Sequence, residues 1–170
     1  IGEIGLDYFY SAETAEQQVA LFRAQLELAN ELRLPVVIHS RDADVDTLEA
    51  LKDHAQTWSG DPERIGVLHC FTRDAAFAAD LVDLGYHISF SGIVTFLNAD
   101  PLREVARTIP ADRLLIETDS PYLAPAPMRG KRNEPGFVSH VATRLAAVRD
   151  TDVAELTEQT FENASRLFGW

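Results

Sequence analysis

Residues 34–40 read Leu-Pro-Val-Val-Ile-His-Ser (LPVVIHS), a short apolar run that ends in a histidine and a serine. A run of apolar and β-branched residues that follows a proline is typical of a buried strand. Residues 65–71 repeat the pattern as IGVLHCF. Apolar strands that recur about every thirty residues, with room for a helix between them, predict βα units around a parallel sheet.

Three further runs extend this pattern to five strands, namely residues 1–8 (IGEIGLDY), 86–94 (YHISFSGIV) and 113–122 (RLLIETDSPY). Between the runs, apolar residues at three- and four-residue steps predict amphipathic helices. Residues 123–136 (LAPAPMRGKRNEPG) predict a basic loop, and only helical patterns follow it. The fold class expected is therefore α/β, with residues 1–170 in a single domain.

The composition excludes several classes of protein. The chain has 170 residues, of which 46% are hydrophobic and 25% charged, as in soluble globular domains. No apolar run approaches the ~18 residues of a membrane-spanning helix, so we expect a cytoplasmic protein without a membrane partner. The only cysteine is Cys70, which excludes a disulfide framework within the chain and suits a reducing compartment.

The charge balance bears on the substrate. There are 15 Lys and Arg residues against 27 Asp and Glu residues, which makes the net charge −12. General electrostatic attraction to nucleic acid comes from Lys and Arg that neutralise phosphates, so this chain cannot rely on it. Contact with a phosphate would require a metal ion or a small basic cluster.

Polar side chains lie where the predicted strands end. His39 closes the second strand, His69 the third and Asp119 the fifth, while the first carries Glu3. The carboxyl ends of parallel strands meet at one edge, where active sites of α/β folds are built. Imidazole and carboxylate groups are ligands of zinc and manganese. One histidine in such a place is more often structural, but two at equivalent positions favour a metal site.

The residues around these candidates leave alternatives open. Glu117 and Asp119 share a strand face by alternation, so the pattern alone does not choose between them. We prefer Asp119 as the ligand or base because it lies nearer the carboxyl end, with Glu117 behind it. We expect His54, at a helix end, to be solvated. Cys70 should point away from its neighbour His69 and serve packing.

Several blocks of the sequence resemble a known family. GEIGLDY, PVVIHSRDA, VLHCF, SGIVTF, ETDSPYLAP and RGKRNEP occur in the order and spacing of the TatD-type metal-dependent deoxyribonucleases. These are hydrolases of the amidohydrolase-like TIM-barrel superfamily. The likeness runs from residue 1 to the final ENASRLFGW.

The resemblance implies a (β/α)8 barrel with one or two divalent metal ions (zinc, manganese or magnesium) that hydrolyses phosphodiester bonds in DNA. By motif, Glu3 is similar to the carboxylate that bridges two metals, and His39 and His69 to the ligands of one of them. Asp119 is similar to a ligand or base that acts on the attacking water. Asp7, Asn133 and Glu134 also match, in supporting roles.

Basic residues are the candidates for contact with substrate phosphates. Arg41 follows His39 at the same edge, and Arg129, Lys131 and Arg132 fall within four positions. The resemblance and their charge imply phosphate contacts for these residues. A solvated loop is an equally good interpretation of the last three.

One family feature is missing from this sequence. The family opens with a strand that carries a His-x-His pair for the second metal, and no such pair occurs here. We therefore expect an incomplete barrel that lacks the first two βα units, binds at most one ion well and has little or no nuclease activity. Open sheet edges would favour self-association.

Two alternatives differ in function. The same barrel could hydrolyse an amide, lactone or phosphotriester, but those relatives usually carry a metal-bridging lysine at a strand end, and no strand here ends in Lys. The chain could also be an inactive fragment or interaction module with one partial metal site.

Overall fold

Five parallel strands form one sheet in the structure, a computed structural model that describes residues 1–170. The sheet follows the chain in the order β1-β2-β3-β4-β5, so each strand pairs with the next one in sequence. This confirms the α/β class and the parallel sheet. The strands are β1 (Ile4–Asp7), β2 (Val36–Arg41), β3 (Gly66–Leu68), β4 (His87–Phe90) and β5 (Leu114–Ile116).

Helices connect the strands and complete the chain. A single turn, α1 (Tyr8–Ser11), follows β1, and four longer helices follow in the connections: α2 (Ala15–Leu32), α3 (Asp44–Thr57), α4 (Ala75–Asp83) and α5 (Asp100–Thr108). After β5 come only helical elements, as the sequence predicts, with α6 (Val138–Arg149) and α7 (Val153–Phe168) as the long ones. No helix is both long enough and apolar enough to cross a bilayer.

The two faces of the sheet are covered differently. On one face, Leu6, Ile38 and Leu68 belong to a core of 32 buried residues shared with helices α2 to α6 and with Leu156 near the start of α7. On the other face, Val67 and Leu115 pack against the end of α7 in a small separate cluster. The large core stabilises the domain, and the second face is left free to carry polar groups beyond its apolar cluster.

Strands three, four and five are shorter than the sequence predicts, and β4 gives way to a 3-10 helix at Gly92–Thr95. Asp119 has φ 58°, a left-handed conformation that an extended strand does not contain. Glu117 and Asp119 therefore do not share a strand face, and the argument from alternation was wrong for them. Cys70, with φ 47°, also lies beyond its strand and lines the same cavity as His69, so the expectation that it points away was wrong.

The expectation that His54 is solvated was also wrong. His54 is 4% exposed, and its Nδ1 lies 2.6 Å from Tyr86 Oη. It stands three and four residues after Leu51 and Ala50, which are buried on the inner stripe of α3. Burial lowers the pKa of His54 to about 4, so this histidine is neutral at physiological pH.

Candidate metal centre

Three polar side chains continue the apolar rows of the sheet face that α7 only partly covers. His39 comes two residues after Val37, and His69 two residues after Val67. Successive side chains of a strand alternate between faces, so a residue two positions on points the same way. Glu117 stands in the same relation to Leu115 and extends the row of β5. The open part of this face thus holds two imidazoles and a carboxylate.

Glu3 reaches the site because the chain has one extra residue just before β1. The backbone N–H of Val37 donates to the carbonyl of Ile1 over 2.9 Å, whereas Ile4 lies opposite Ile38. The offset between the paired strands thus changes by one residue, and Glu3 is the residue that does not fit the ladder. Such a β-bulge bends the strand and re-aims a side chain, often beside an active site.

The carboxylate of Glu3 lies between the two histidines. Its Oε1 is 3.3 Å from His39 Nδ1 and 2.8 Å from His69 Nε2. One donor atom from each of these three residues can be chosen so that all lie within 4.8 Å of one another. One carboxylate and two imidazoles at this spacing are a suitable ligand set for a divalent metal ion.

A second carboxylate stands behind each histidine. His39 Nε2 lies 3.0 Å from Asp7 Oδ2, and His69 Nδ1 lies 3.2 Å from Glu117 Oε1. Contacts of this kind select the tautomer and orientation of an imidazole, so that the other ring nitrogen is presented to a metal. The ring nitrogens that face Glu3 are therefore the ones left for ligation.

The electrostatics of the site fit a cation. Burial lowers the pKa of His69, but the adjacent carboxylates Glu117 and Glu3 outweigh it and raise that pKa to about 9. Burial and the negative charges of Glu117 and Glu3 raise the pKa of Asp119. Both shifts come from negative charge concentrated at the site, and a bound cation would offset that charge. The donor set and its charge are therefore consistent with a bound divalent ion.

Asp119 lies in the same cavity but outside the close donor group. The cavity has a volume of about 740 Å³, and its walls include Glu3, His39, Arg41, His69, Asp119, Tyr10 and Tyr122. Of the predicted substrate contacts, only Arg41 lines it. Arg129 instead stacks on Phe96, 3.7 Å from the ring centre, and Lys131 and Arg132 are exposed.

Asn133 fixes the loop that carries Asp119. This side chain is 3% exposed, and its Nδ2 donates to the carbonyls of Thr118 (2.7 Å) and Tyr122 (2.6 Å). The two carbonyls flank Asp119 in sequence. The buried amide therefore closes the loop in place of a strand.

Comparisons with known proteins agree with this geometry. The family model for TatD related DNases matches residues 1–169. A protein of Escherichia coli K12, described as the uncharacterized metal-dependent hydrolase YcfH, is 51% identical over 168 residues, which are 99% of this chain and 62% of that protein. A protein of Erwinia amylovora, described as the 3'-5' ssDNA/RNA exonuclease TatD, is 42% identical over 174 residues, which cover 99% of this chain and 65% of that protein.

A solved structure shows the same fold. The crystal structure of YJJV, a TatD homologue of Escherichia coli K12, matches with a TM-score of 0.90 and 33% identity over 99% of this chain and 63% of that one. The chain thus spans less than two thirds of the length of the relatives it matches. With the family model matched over nearly every residue, the chain belongs to the TatD-related DNase family of metal-dependent hydrolases.

Proposed function

We propose that this chain carries a metal-dependent site for the hydrolysis of phosphodiester bonds in DNA, with one tightly bound divalent ion. One observation carries the proposal. A single carboxylate oxygen of Glu3 contacts both His39 and His69, and each histidine is oriented by a further carboxylate. The description of a relative as an ssDNA/RNA exonuclease supports a nucleic-acid substrate.

The residues that would bind the ion are Glu3, His39 and His69, through a carboxylate oxygen and two ring nitrogens. This set suits zinc or manganese, and leaves room for water and substrate. When bound, a divalent ion supplies Lewis acidity, which stabilises negative charge on phosphoryl oxygens and makes water more acidic. Asp7 and Glu117 each accept the N–H of the ring nitrogen that faces them, and so orient the two imidazoles with the other nitrogen towards the ion.

Asp119 would orient the attacking water and accept its proton. It lies on the wall of the cavity, and burial together with neighbouring negative charge raises its pKa, which brings it closer to that of an effective general base. The loop held by Asn133 keeps this carboxylate in the cavity.

Arg41 would bind a substrate phosphate. The Cζ atom of its guanidinium lies 3.8 Å from the centre of the Phe9 ring, and guanidinium groups bind phosphate oxygens through their N–H groups. The basic loop residues Arg129, Lys131 and Arg132 lie outside the cavity, where they would contact phosphates farther along a bound strand.

We infer that the sheet is part of a (β/α)8 barrel. Strands that pair in sequence order, each followed by a helix, and a site at their carboxyl ends support this inference. This chain supplies the ligands for one ion, Glu3, His39 and His69. On that basis we propose for it the metal-dependent hydrolysis that the complete barrel would carry out.

Calorimetric titration with Zn²⁺ or Mn²⁺ tests the proposal. We expect one tight site per chain, which His69→Ala weakens more than 10-fold because a ligand is lost. His140→Ala, a histidine on α6 outside the cavity, is the matched control. Two tight sites, or none, would contradict the proposal. We expect metal-stimulated cleavage of a single-stranded oligonucleotide to be weak, because the His-x-His pair for a second metal does not occur in this sequence.

A further inference from the structure

Two exposed aromatic rings line the cavity, and each follows one of the two edge strands of the sheet. Tyr10 is 72% exposed and Tyr122 is 71% exposed, and both line the cavity together with Glu3 and Asp119. One follows β1 and the other follows β5, so they come from distant parts of the chain. Large exposed rings at a polar cavity are a signature of ligand binding rather than of packing.

The backbone of each tyrosine is fixed to a residue of the site. The N–H of Tyr10 donates to Asp7 Oδ1 over 3.1 Å, and the other oxygen of Asp7 contacts His39. The N–H of Tyr122 donates to the carbonyl of Asp119 over 2.9 Å. Both rings are therefore exposed, but the backbone of each tyrosine is held by a hydrogen bond to a residue of the site, Asp7 or Asp119.

Tyr10 also belongs to a cluster with a second aromatic ring and an arginine. Its ring meets that of Phe9 edge to face, with centroids 4.9 Å apart, and the guanidinium of Arg41 lies 4.9 Å from the Tyr10 ring centre. An aromatic ring beside an arginine is an arrangement that binds a nucleobase and its phosphate together.

The charge of the chain makes such stacking necessary. With a net charge of −12 and carboxylates around the cavity, phosphate attraction alone would hold a polyanion poorly. Stacking of a base on an aromatic ring contributes about 1–3 kcal/mol and does not depend on charge. In a duplex the base faces are covered by their neighbours, so only unpaired bases can use these rings.

We propose that Tyr10 and Tyr122, which follow the two edge strands, bind unpaired nucleobases by stacking and so position a single-stranded segment over the metal centre. This inference rests on the proposed function and names the residues that would recognise the bases. The rings bind and position the substrate, and take no part in bond cleavage.

A binding experiment without turnover tests the stacking residues. The probes are a phosphorothioate single-stranded oligonucleotide containing one 2-aminopurine and a matched one that is abasic there, each titrated into the full chain with Zn²⁺. Placing the 2-aminopurine at successive positions finds the bases that contact the rings. We expect tighter binding of the base-bearing probe, with quenched fluorescence.

The variants separate stacking from packing. Tyr10→Leu and Tyr122→Leu should each weaken binding of the base-bearing probe by about 5- to 150-fold, the equivalent of one lost stack. Tyr10→Phe and Tyr122→Phe should retain it. Phe161→Leu, a 67% exposed ring on α7 outside the cavity, should leave binding unchanged.

The outcomes distinguish this inference from the proposed hydrolysis. Equal binding of base-bearing and abasic probes, no binding of either, or Leu variants that bind normally would overturn stacking, even if the chain cleaves DNA. Base-dependent binding that both Leu variants lose would support stacking, even if no metal restores cleavage.

Discussion

Glu3 contacts both histidines through one oxygen atom, although it precedes the first residue of its strand. The bulge lets a short side chain reach a place that regular pairing would not give it. Behind the histidines, Asp7 and Glu117 act on the orientation of the rings. The site therefore has an inner set of three donors and an outer pair of carboxylates.

Glu117→Gln tests the outer pair. The change keeps the shape of the side chain but removes the charge that contacts His69 Nδ1, so we expect metal affinity to fall about 10- to 100-fold while one site per chain remains. Isothermal titration with Zn²⁺ measures this effect. Glu162→Gln, an exposed residue of α7 outside the cavity, is the control. Unchanged affinity in Glu117→Gln would show that Glu117 does not act through His69.

Asn133→Ala tests the loop that carries Asp119. Removal of two hydrogen bonds to flanking carbonyls frees the carboxylate, so we expect kcat for oligonucleotide cleavage to fall about 10- to 100-fold. Zn²⁺ affinity should change little because Asp119 lies outside the close donor group. Exposed Asn98→Ala is the matched control. Equal losses of kcat and Zn²⁺ affinity would contradict this separation of roles.

At the residue scale, sequence reasoning found what adjacent strands bring together. His39 and His69 follow apolar runs at equivalent positions, and the structure places them side by side, with Glu3 between them. The bulge at Glu3 is a change in the register between two paired strands, so the sequence of one strand alone does not predict it. Asp119 has a left-handed conformation in the loop that Asn133 closes. Because Asn133 lies outside the strand motif, the motif alone does not predict this conformation.

Among the elements, α7 is docked by a buried amide. Asn163 is fully buried, and its Nδ2 donates to the carbonyls of Ala111 (2.7 Å) and Leu114 (2.8 Å) at the start of β5. Arg64 also donates from its guanidinium to the carbonyl of Leu167 at the end of the helix. These bonds place the end of α7 against the apolar part of the site face.

Asn163→Ala should destabilise the fold. The change leaves one buried and one partly buried carbonyl without their donor, and we expect the free energy of unfolding to fall by about 1–3 kcal/mol. Urea denaturation followed by circular dichroism measures it. Glu158→Ala, an exposed position on the same helix, should change stability by less than about 0.5 kcal/mol. A similar small change in Asn163→Ala would mean that α7 docks through its apolar contacts alone.

Element positions follow from apolar periodicity, whereas element ends do not. Four of the five strands lie inside the predicted runs and β2 extends one residue beyond its run, to Arg41, but β5 ends at Ile116 rather than Tyr122. The last residues of that run pair through one rung only, from the N–H of Glu117 to the carbonyl of Phe90, before the chain turns into the cavity. That departure depends on tertiary contacts that periodicity does not report.

For the molecule as a whole, we expect two buried histidines outside the site to contribute to the loss of stability in acid. Burial lowers the pKa of His54 to about 4. Burial and the positive charge of Arg113 lower the pKa of His87 to about 4 as well. Neither ring nitrogen of His87 has a hydrogen-bond partner in the structure. A proton on either ring would therefore be unfavourable in the folded chain.

We expect stability to be lost as the pH falls from about 6.5 towards 4. In that interval the unfolded chain binds protons on these histidines and the folded chain does not, so the contribution is complete above pH 6.5 and disappears on acidification. Each histidine contributes at most on the order of 3 kcal/mol. Urea midpoints at pH 7 and pH 5 measure the loss.

The double variant His54→Gln/His87→Gln provides the control for the pH dependence. Its midpoint should vary less between pH 7 and pH 5 than that of the unmodified chain, whatever its absolute stability. An equally steep dependence would assign the acid limb to carboxylates instead.

The rows Val37–His39, Val67–His69 and Leu115–Glu117 share one spacing, with an apolar residue followed two positions later by a functional one. A single inserted or deleted residue within any of these strands would exchange its two faces, burying the functional group in the helix-covered core and exposing an apolar side chain in its place. Natural variation in chain length should therefore be confined to the connections, while the strands change only by substitution.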